Sequence, residues 1–388
     1  MNIVHISPNA PYNDAWGFQE NLLPKYQAKL GHKVSLVISC KTHEGGKIKE
    51  VAPERFTSAD GFEVIRLPYV QYKVKSVSTV FWKIDVYPLL EELKPDLIFY
   101  HGLVSRTVFD VIKYKKQQEK QGKECVLIQD NHLDYNIGTD PKTLKEKLLR
   151  SYYRLLNRRS QKSVERVYGV TPWRKQYAEE YYRISPQKTD VLIMGADDEK
   201  IDFADKENIR NAIRKKYGVA DTDFLVVSGG KIDAKKKIHL LMEACGNMSG
   251  VKLLVFGSVA KEMEEEYGAL CAKYPNIVSI GWIDSDKVYD YFFAADLVCF
   301  PGQHSVLWEQ ACAAKAPCLF ARWPGMDHVD NGGNSAFIEN VTAEEIENKI
   351  KSLRFTEAYD KMKAVALSSA TDIYLYSKIA QKSLERRK

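Results

Sequence analysis

Residues 295–317, ADLVCFPGQHSVLWEQACAAKAP, contain an apolar run, a Pro-Gly pair and a helix-like pattern in direct succession. Short apolar runs bounded by turn residues are typical of buried strands in parallel sheets. Ser305 could cap the following helix, whose first backbone N–H groups could then bind an anion, most often phosphate. Glu309 and Gln310 follow about one turn later. The segment therefore predicts a strand, a loop that could hold a diphosphate, and a helix turn that could hold a ribose.

Strand and helix patterns alternate along the chain in two successive series. Strands of the first series are predicted at residues 2–6, 33–39, 61–67, 97–100, 125–129, 164–170 and 191–194. Strands of the second series are predicted at residues 223–229, 251–256, 277–280, 297–300 and 317–321. This alternation predicts doubly wound parallel sheets, in which ligands bind at the carboxyl ends of the strands. We expect the domain boundary between Gly195 and Val219, and a last helix at 368–386 that packs back across the hinge.

Size and composition set the class of protein. The 388 residues are enough for two separate cores, and the proportions of 45% hydrophobic and 28% charged residues are those of a soluble globular protein. The seven cysteines form no CxxC pair, so we expect reduced, buried thiols. The start, MNIVHISPN, resembles a strand rather than a secretory leader, and no apolar run approaches the ~18 residues of a membrane span. These features predict a cytoplasmic protein.

Positive charge is concentrated in one window of the chain. Residues 141–190 contain 13 Lys or Arg and 5 Asp or Glu, whereas the whole chain has a net charge of +6. The window includes a helical pattern with leucines and tyrosines. A helix of this kind could be solvated with its apolar stripe packed inward, or it could lie on an anionic membrane surface through the basic 142–175 region. No nucleic-acid motif accompanies it, so nucleic acid is not an expected partner.

Residues 229–237, GGKIDAKKK, follow a predicted strand and open a predicted helix. Glycines permit close backbone approach, and lysines at a helix start oppose the helix dipole unless an anion is bound. The segment could be a solvated helix start, but it favours phosphate binding. Gly17 stands alone after the first strand, so no G-x-G-x-x-G motif indicates a nicotinamide or flavin dinucleotide. The chain also lacks the G-x-x-x-x-G-K-[ST] motif of P-loop NTPases.

Three segments in this order, GGKIDAKKKIHLLMEA, VKLLVFG and NIVSIGWIDSDKVYDYFFAADLVCFPG, resemble the nucleotide-sugar-binding domain of the retaining GT-B glycosyltransferases of family 4. GHKV, PDLIFYHG and VLIMGADDEKIDF extend the resemblance to the first half. The resemblance implies an α/β fold of the GT-B type, with two Rossmann-like, doubly wound parallel-sheet domains that face a central cleft. The implied domains are an acceptor-binding domain, a nucleotide-sugar-binding domain and a returning C-terminal helix, at residues 1–195, 196–365 and 366–388.

The resemblance also implies roles for individual residues of the second half. The phosphate-binding cations fall on Lys231 and Lys236, which we expect to be catalytic. Donor-binding positions fall on Gly230, on Trp282 and Ile283, whose backbone groups would contact the nucleobase, and on the backbone amides of His304, Ser305 and Val306. The family's E-x7-E motif is altered in this chain: Gln310 aligns with the second glutamate, which binds the ribose. Glu309 could take that role if the register slips by one, and the first glutamate has no clear equivalent.

In the first half, the resemblance places His132 close to the donor sugar and the transferred bond. Asp130 and His101 lie at neighbouring strand ends, and Trp16 and Gly17 occupy the family's first glycine-bearing loop. A histidine at a strand end can equally be structural. The loop at residues 325–334 is either a local turn or a contributor to donor binding.

The expected activity is transfer of a sugar from a nucleotide-diphosphate donor, by family frequency a UDP-sugar, to an acceptor hydroxyl with retained configuration. The resemblance implies neither a metal ion nor a cofactor. The expected acceptor is a glycan or a lipid-linked glycan at the cytoplasmic side of a membrane, as in polysaccharide biosynthesis. Two alternatives remain open: a nucleotide-sugar 2-epimerase on the same scaffold, and a GT-B binding module without turnover.

Overall fold

The computed structural model describes residues 1–14, 16–44, 47–71, 73, 82–135 and 143–386. The chain divides into two compact units. The first unit contains Met1–Ile193 together with Ala380–Lys388, and the second contains Met194–Ile379. Each unit is built from alternating strands and helices around a parallel sheet, which confirms the predicted α/β class. Among the helices of the described residues, none combines the length and apolar composition that a membrane span requires.

The first unit has ten strands and five helices among its described residues before Ile193. The strands are β1 (Asn2–Ser7), β2 (Lys33–Ser39), β3 (Lys41–Glu44), β4 (Lys47–Glu50), β5 (Arg55–Thr57), β6 (Glu63–Leu67), β7 (Leu97–Tyr100), β8 (Val126–Asn131), β9 (Arg166–Gly169) and β10 (Thr189–Val191). The helices are α1 (Gln19–Lys29), α2 (Tyr87–Leu93), α3 (Val108–Lys120), α4 (Leu144–Ser160) and α5 (Pro172–Tyr182).

Eight of these strands form one sheet in the order β10-β9-β8-β7-β1-β2-β6-β5. Every pair is parallel except β5 with β6, and β3 and β4 form a separate antiparallel hairpin. All four residues of β7 and all six of β8 are buried, as expected for strands covered by helices on both faces. The carboxyl ends of β1, β7 and β8 therefore lie side by side at one edge of the sheet.

The second unit continues the alternation to the end of the chain. Its strands are β11 (Phe224–Ile232), β12 (Val251–Val259), β13 (Ile277–Gly281), β14 (Leu297–Phe300), β15 (Cys318–Ala321) and β16 (Ser335–Ile338). Its helices are α6 (Lys206–Lys216), α7 (Ile238–Gly246), α8 (Glu264–Lys273), α9 (Val288–Ala294), α10 (Leu307–Ala313), α11 (Ala343–Leu353) and α12 (Glu357–Leu367), followed by α13 (Tyr376–Ser383), which ends in the first unit. The six strands are all parallel, in the order β13-β12-β11-β14-β15-β16.

Several local features of the structure differ from the predictions. Strand β11 does not end at Gly229 but runs to Ile232, because residues 229–232 continue the ladder with residues 256–259 of β12. Strand β16 was not predicted, since its short SAFI sequence follows a glycine-rich loop. The single helix predicted at 368–386 is instead a 3₁₀ segment, Ser369–Tyr374, followed by α13. All seven cysteines are free thiols in the structure.

Candidate active site

Two glycines bring the ends of β11 and β12 into close contact at the carboxyl edge of the second sheet. Gly230 and Gly257 have φ values of 107° and 121°, which L residues with a side chain rarely adopt. A Cβ atom on Gly257 would lie 1.8 Å from the Gly230 carbonyl oxygen. The backbone before Lys231 therefore requires glycine for both its conformation and its packing.

Lys231 and Lys236 have different environments in the structure. The Lys231 side chain is 69% exposed, and its ammonium lies 3.7 Å from Asp233. Lys236 Nζ instead donates to the carbonyl oxygens of Gln303 and His304, at 2.6 and 3.2 Å. Burial lowers the pKa of Lys236, although Asp233 opposes this shift. Lys231 is thus open to a ligand, whereas Lys236 holds the loop that follows β14.

That loop packs directly on the turn after β11. Gln303 N donates to the Lys235 carbonyl at 2.9 Å, and a Cβ on Gly302 would lie 2.3 Å from the Lys236 carbonyl carbon. Helix α10 begins at Leu307, and its N-cap is Val306, which makes no side-chain capping bond. The predicted cap at Ser305 is therefore wrong, because Ser305 lies one residue too early and contributes only its carbonyl to Trp308 N.

Glu309 is buried and lies between two histidines. Its Oε1 atom lies 2.9 Å from His304 Nε2 and 2.8 Å from His328 Nε2. Burial alone would raise the pKa of Glu309, but the two imidazoles hold it well below its ordinary value. Gln310 is the partly exposed member of the pair. Both histidines of the same unit thus contact Oε1 of the buried Glu309 carboxylate, whereas Gln310 is partly exposed.

The same three side chains form one of two groups, among the residues that the structure describes, whose ligand-type atoms lie within 4.8 Å of one another. A metal ion could bridge such atoms, but the observed distances are those of N–H···O bonds to a shared carboxylate oxygen. His328 is carried by the 325–334 loop, which is tied locally by Asn334 Oδ1 to Asn331 N at 2.6 Å and by Tyr374 to the His328 carbonyl at 2.6 Å. The sequence contained no signal that paired Glu309 with His328.

Trp282 directly follows β13 at the same carboxyl edge. Its side chain is 74% exposed, an unusual environment for the largest aromatic residue. Ile283 beside it is partly exposed. Because β12 lies between β11 and β13, Trp282 and Lys231 lie at the same carboxyl edge of the sheet with one strand between them. This edge of the sheet therefore exposes both an aromatic side chain and a cation.

In the first unit, His132, Asp130 and His101 meet at the ends of β7 and β8. His101 Nδ1 lies 2.7 Å from Asp130 Oδ2, and the Gly102 N–H donates to Asp130 Oδ1 at 2.8 Å. His132 Nε2 lies 3.4 Å from Asp130 Oδ2, and the His132 side chain is 36% exposed. His101 and Asp130 are buried. Of the three, His132 alone can reach a ligand directly.

The charges of this group are coupled. Burial alone would raise the pKa of Asp130, but the imidazoles of His101 and His132 hold it well below its ordinary value. Burial lowers the pKa of His132, yet the Asp130 carboxylate outweighs burial and raises it. Glu20, on α1, contributes in the same direction. An ionised Asp130 with a readily protonated His132 can exchange a proton with a bound substrate.

Sequence reasoning missed three buried residues behind His101. His5 Nδ1 lies 3.0 Å from His101 Nε2, and His5 Nε2 lies 2.7 Å from Gln27 Oε1. Gln27 Nε2 donates to Ser383 Oγ at 2.9 Å. A histidine inside the apolar run of β1 was the available signal. The second metal-type group, Glu20 with His101 and His132, shares this network, and both nitrogens of His101 are already engaged by His5 and Asp130.

Trp16 and Gly17 occupy the loop before α1. The Trp16 ring packs on Phe18 and His43, with centroid distances of 4.6 and 5.1 Å. Gly17 is exposed, and a Cβ there would meet only Leu22, at 3.9 Å. Space for a ligand is therefore available at Gly17, and Trp16 forms one side of that loop.

Helix α4 has two apolar faces with different environments. Tyr153 and Leu156 are buried in the core, whereas Leu144, Leu148 and Leu155 are exposed. Beside α4, a groove of about 580 Å³ combines an apolar floor with four cations, Lys116, Arg158, Arg159 and Lys162. Within the described part of the chain, none of these four cations forms an ion pair. The interpretation that the apolar residues of this helix pack inward therefore holds for only one side of the helix.

Two family models and a curated relative match the sequence of this chain. A family model described as glycosyl transferases group 1 matches residues 209–364, and one described as glycosyltransferase family 4 matches residues 23–200. A processive diacylglycerol alpha-glucosyltransferase from Acholeplasma laidlawii is 24% identical over 216 residues, which cover 49% of this chain and 64% of that protein. The match thus spans less than two thirds of this relative.

Solved structures resemble the chain over nearly its whole length. HepE from Anabaena, solved with UDP, has a TM-score of 0.66 at 14% identity and covers 99% of this chain and 98% of its own. WaaG, a glycosyltransferase involved in lipopolysaccharide biosynthesis, has a TM-score of 0.64 at 17% identity, with 98% of each chain covered. Two family models match the chain, and each of its two α/β units is built around a sheet of mainly parallel strands. The chain therefore belongs to the glycosyltransferases of the GT-B fold.

Proposed function

We propose that the protein transfers a sugar from a UDP-sugar to an acceptor hydroxyl, with retention of the anomeric configuration. The observation that carries this proposal is the exposed pair Lys231 and Trp282 at one carboxyl edge of the second sheet. An ammonium and an open aromatic face at the same edge suit a diphosphate joined to a nucleobase. The UDP in the Anabaena neighbour and the resemblance to retaining enzymes support the choice of donor and stereochemistry.

Each donor group has a proposed partner in the second unit. Trp282 stacks on the base, Gln310 binds the ribose hydroxyls, and Lys231 contacts the diphosphate. Gln310 takes the ribose in preference to Glu309, because both histidine contacts of Glu309 are made within the unit and its side chain is buried. Lys236 acts indirectly, by holding the carbonyls of Gln303 and His304.

The chemical step breaks the bond between the anomeric carbon and the diphosphate. Negative charge develops on the departing phosphate oxygen, and a cation positioned there lowers the barrier. Lys231 supplies that charge without a metal ion. The acceptor oxygen bonds to the anomeric carbon as that bond breaks, and the proton of the acceptor hydroxyl passes to the departing phosphate oxygen or to His132, beside Asp130. The arrangement needs no protein nucleophile.

The proposed acceptor is lipid-linked and reached at an anionic membrane surface. Of the exposed leucines of α4 (Leu144, Leu148 and Leu155), Leu155 lines the groove, whose four cations have no ion-pair partner among the described residues. Apolar side chains next to Lys and Arg are the features by which a helix lies on anionic headgroups. The diacylglycerol substrate in the name of the Acholeplasma relative fits a lipid acceptor.

Vesicle sedimentation tests the membrane proposal. Wild-type protein should bind vesicles that contain anionic phospholipid at low salt, release them at high salt, and ignore neutral vesicles. Charge reversal of Arg158 and Arg159 to Glu should abolish binding, whereas the same reversal at the exposed Lys215 and Lys216 should not. Equal binding by both double variants would contradict the proposal.

Product analysis tests the transfer proposal. With a UDP-sugar and a sugar-lipid acceptor, NMR of the product should show the anomeric configuration of the donor. Inverted product would contradict the retaining mechanism. A C2 epimer from donor alone would indicate the epimerase, and binding without hydrolysis or transfer would indicate a module without turnover.

A further inference from the structure

A continuous chain of buried polar side chains runs from the last helix of the protein to Asp130, whose Oδ2 atom lies 3.4 Å from His132 Nε2. Ser383 on α13, Gln27 on α1, His5 on β1, His101 and Asp130 follow one another at hydrogen-bonding distances, all within the first unit. All five are buried, so water does not compete for their donors and acceptors. The direction of each hydrogen bond is therefore decided by the neighbouring side chain.

The direction is fixed at the Ser383 end. The Ser383 hydroxyl donates to the Ala380 carbonyl at 2.6 Å, so its oxygen is left to accept from Gln27 Nε2. This orients the Gln27 amide with Oε1 toward His5 Nε2. Because an amide oxygen can only accept, His5 carries its proton on Nε2.

The protonation of His5 then determines which nitrogen donates in its hydrogen bond with His101. Burial, and next the neighbouring His101, lower the pKa of His5 to about 3, so His5 is neutral near pH 7. With the proton on Nε2, His5 Nδ1 is an acceptor and His101 Nε2 must donate to it. An ionised Asp130 also only accepts, so His101 Nδ1 donates as well. Both nitrogens of His101 therefore carry a proton.

We propose that Ser383, Gln27 and His5 are positioning residues that hold His101 as an imidazolium, and that this limits the negative charge that Asp130 presents to His132. The catalytic consequence rests on the proposed function, because it assumes that His132 acts on the substrate. The charge arrangement itself needs no substrate. The other charged groups that act on His132 are Glu20 from α1 and Arg174 from α5. Neither belongs to the chain of hydrogen bonds.

Removal of the Ser383 hydroxyl should reverse the donor and acceptor roles along this series of hydrogen bonds. In Ser383→Ala the Gln27 amide can rotate, donate to His5 Nε2 and move the His5 proton to Nδ1. His101 Nε2 then accepts, and His101 is neutral with one proton on Nδ1. The full charge of Asp130 then acts on His132, and its titration midpoint should rise by about one pH unit.

Nitrogen NMR of the imidazole rings in ¹⁵N-histidine protein tests the proposal without substrate. The chain has eight histidines, so single variants can assign their signals. Wild type and Ser383→Thr should show two protonated nitrogens on His101 near pH 7, as should the exposed control Gln381→Ala. Ser383→Ala should lose the His101 Nε2 proton and shift His132 upward.

A single protonated nitrogen on wild-type His101 would overturn the proposal, even if Ser383→Ala failed to fold. Unchanged His101 and His132 signals in folded Ser383→Ala would overturn it as well. The pH profile of sugar transfer then tests the proposed effect on catalysis. Ser383→Ala should raise the pH midpoint of the limb that His132 controls, and Ser383→Thr should not. Sugar transfer by Ser383→Ala without a change in the pH profile would leave the proposed function intact but contradict the proposed effect of Ser383, Gln27 and His5 on His132.

Discussion

Lys236 Nζ donates to the Gln303 carbonyl at 2.6 Å and thereby joins the turn after β11 to the loop after β14. These residues are separated by 67 positions in the chain. The contact distinguishes Lys236 from Lys231, although both align with phosphate-binding cations. One lysine stabilises the loop, and the other is free to bind a ligand.

Substitution of each lysine by methionine should separate the two roles. Lys236→Met should lower the free energy of unfolding by about 1–3 kcal/mol, because two partly buried carbonyls lose a charged donor. Lys231→Met should leave stability within about 0.5 kcal/mol and raise the donor KM at least about 10-fold. Urea denaturation and donor titrations measure both effects. Equal stability losses in the two variants would contradict the assignment.

Glu309→Gln should reveal the buried charge that holds His304 and His328. Near pH 7 the variant should lose about 2–3 kcal/mol of unfolding free energy, since the two imidazoles lose an ionised acceptor. The folded state lowers the pKa of Glu309, so its stabilisation is present above the ordinary value near about 4.3 and is lost as the pH falls below it. The difference between wild type and variant should therefore shrink in acid.

Denaturation curves at several pH values between neutral and strongly acidic conditions check this dependence. The exposed Glu357→Gln serves as the control, and its difference from wild type should stay small throughout. A constant Glu309→Gln deficit at every pH would show that the carboxylate charge is not what stabilises this region.

Gln310→Ala should weaken nucleotide binding by about 3- to 10-fold, the cost of one or two lost hydrogen bonds. Gln310→Glu introduces the carboxylate that the family resemblance implies at this position and should bind at least as tightly as wild type. Calorimetric titration with UDP provides the comparison. If Gln310→Ala binds UDP as wild type does, the ribose is held elsewhere.

Trp282→Ala should weaken UDP binding by about 5- to 100-fold, the range expected when stacking on a base is lost. Trp282→Phe keeps an aromatic face and should retain most of the affinity. Tryptophan fluorescence should be quenched on UDP binding in wild type and much less in Trp282→Ala. Undiminished quenching in that variant would place the base away from β13.

Local sequence predicted the strands well where both faces are covered. Leu97–Tyr100 and Leu297–Phe300 are continuous apolar runs, and the structure has strands with those bounds. The ends of such strands then indicated where polar residues would collect, including His132 and Lys231. The pattern of apolar residues carries this information because burial acts on each strand independently of its distant partners.

The contacts among the site residues could not be predicted in the same way. Glu309 and His328 meet across 19 residues, and Gln27 and Ser383 across 356. Which polar side chains pair depends on how loops and the last helix pack, and no local pattern encodes that. Sequence therefore located the candidate site but did not separate Lys231 from Lys236 or Glu309 from Gln310.

The proposed activity requires that this chain turn over a nucleotide-sugar whose diphosphate Lys231 contacts. Release of nucleoside diphosphate should be measured for wild type and Lys231→Met against UDP-, GDP- and ADP-sugars, with and without a lipid-linked acceptor. We expect release from a UDP-sugar, stimulation by acceptor, and a loss of at least about 10-fold in kcat/KM in the variant. No release from any donor, or equal rates in the two proteins, would contradict the account.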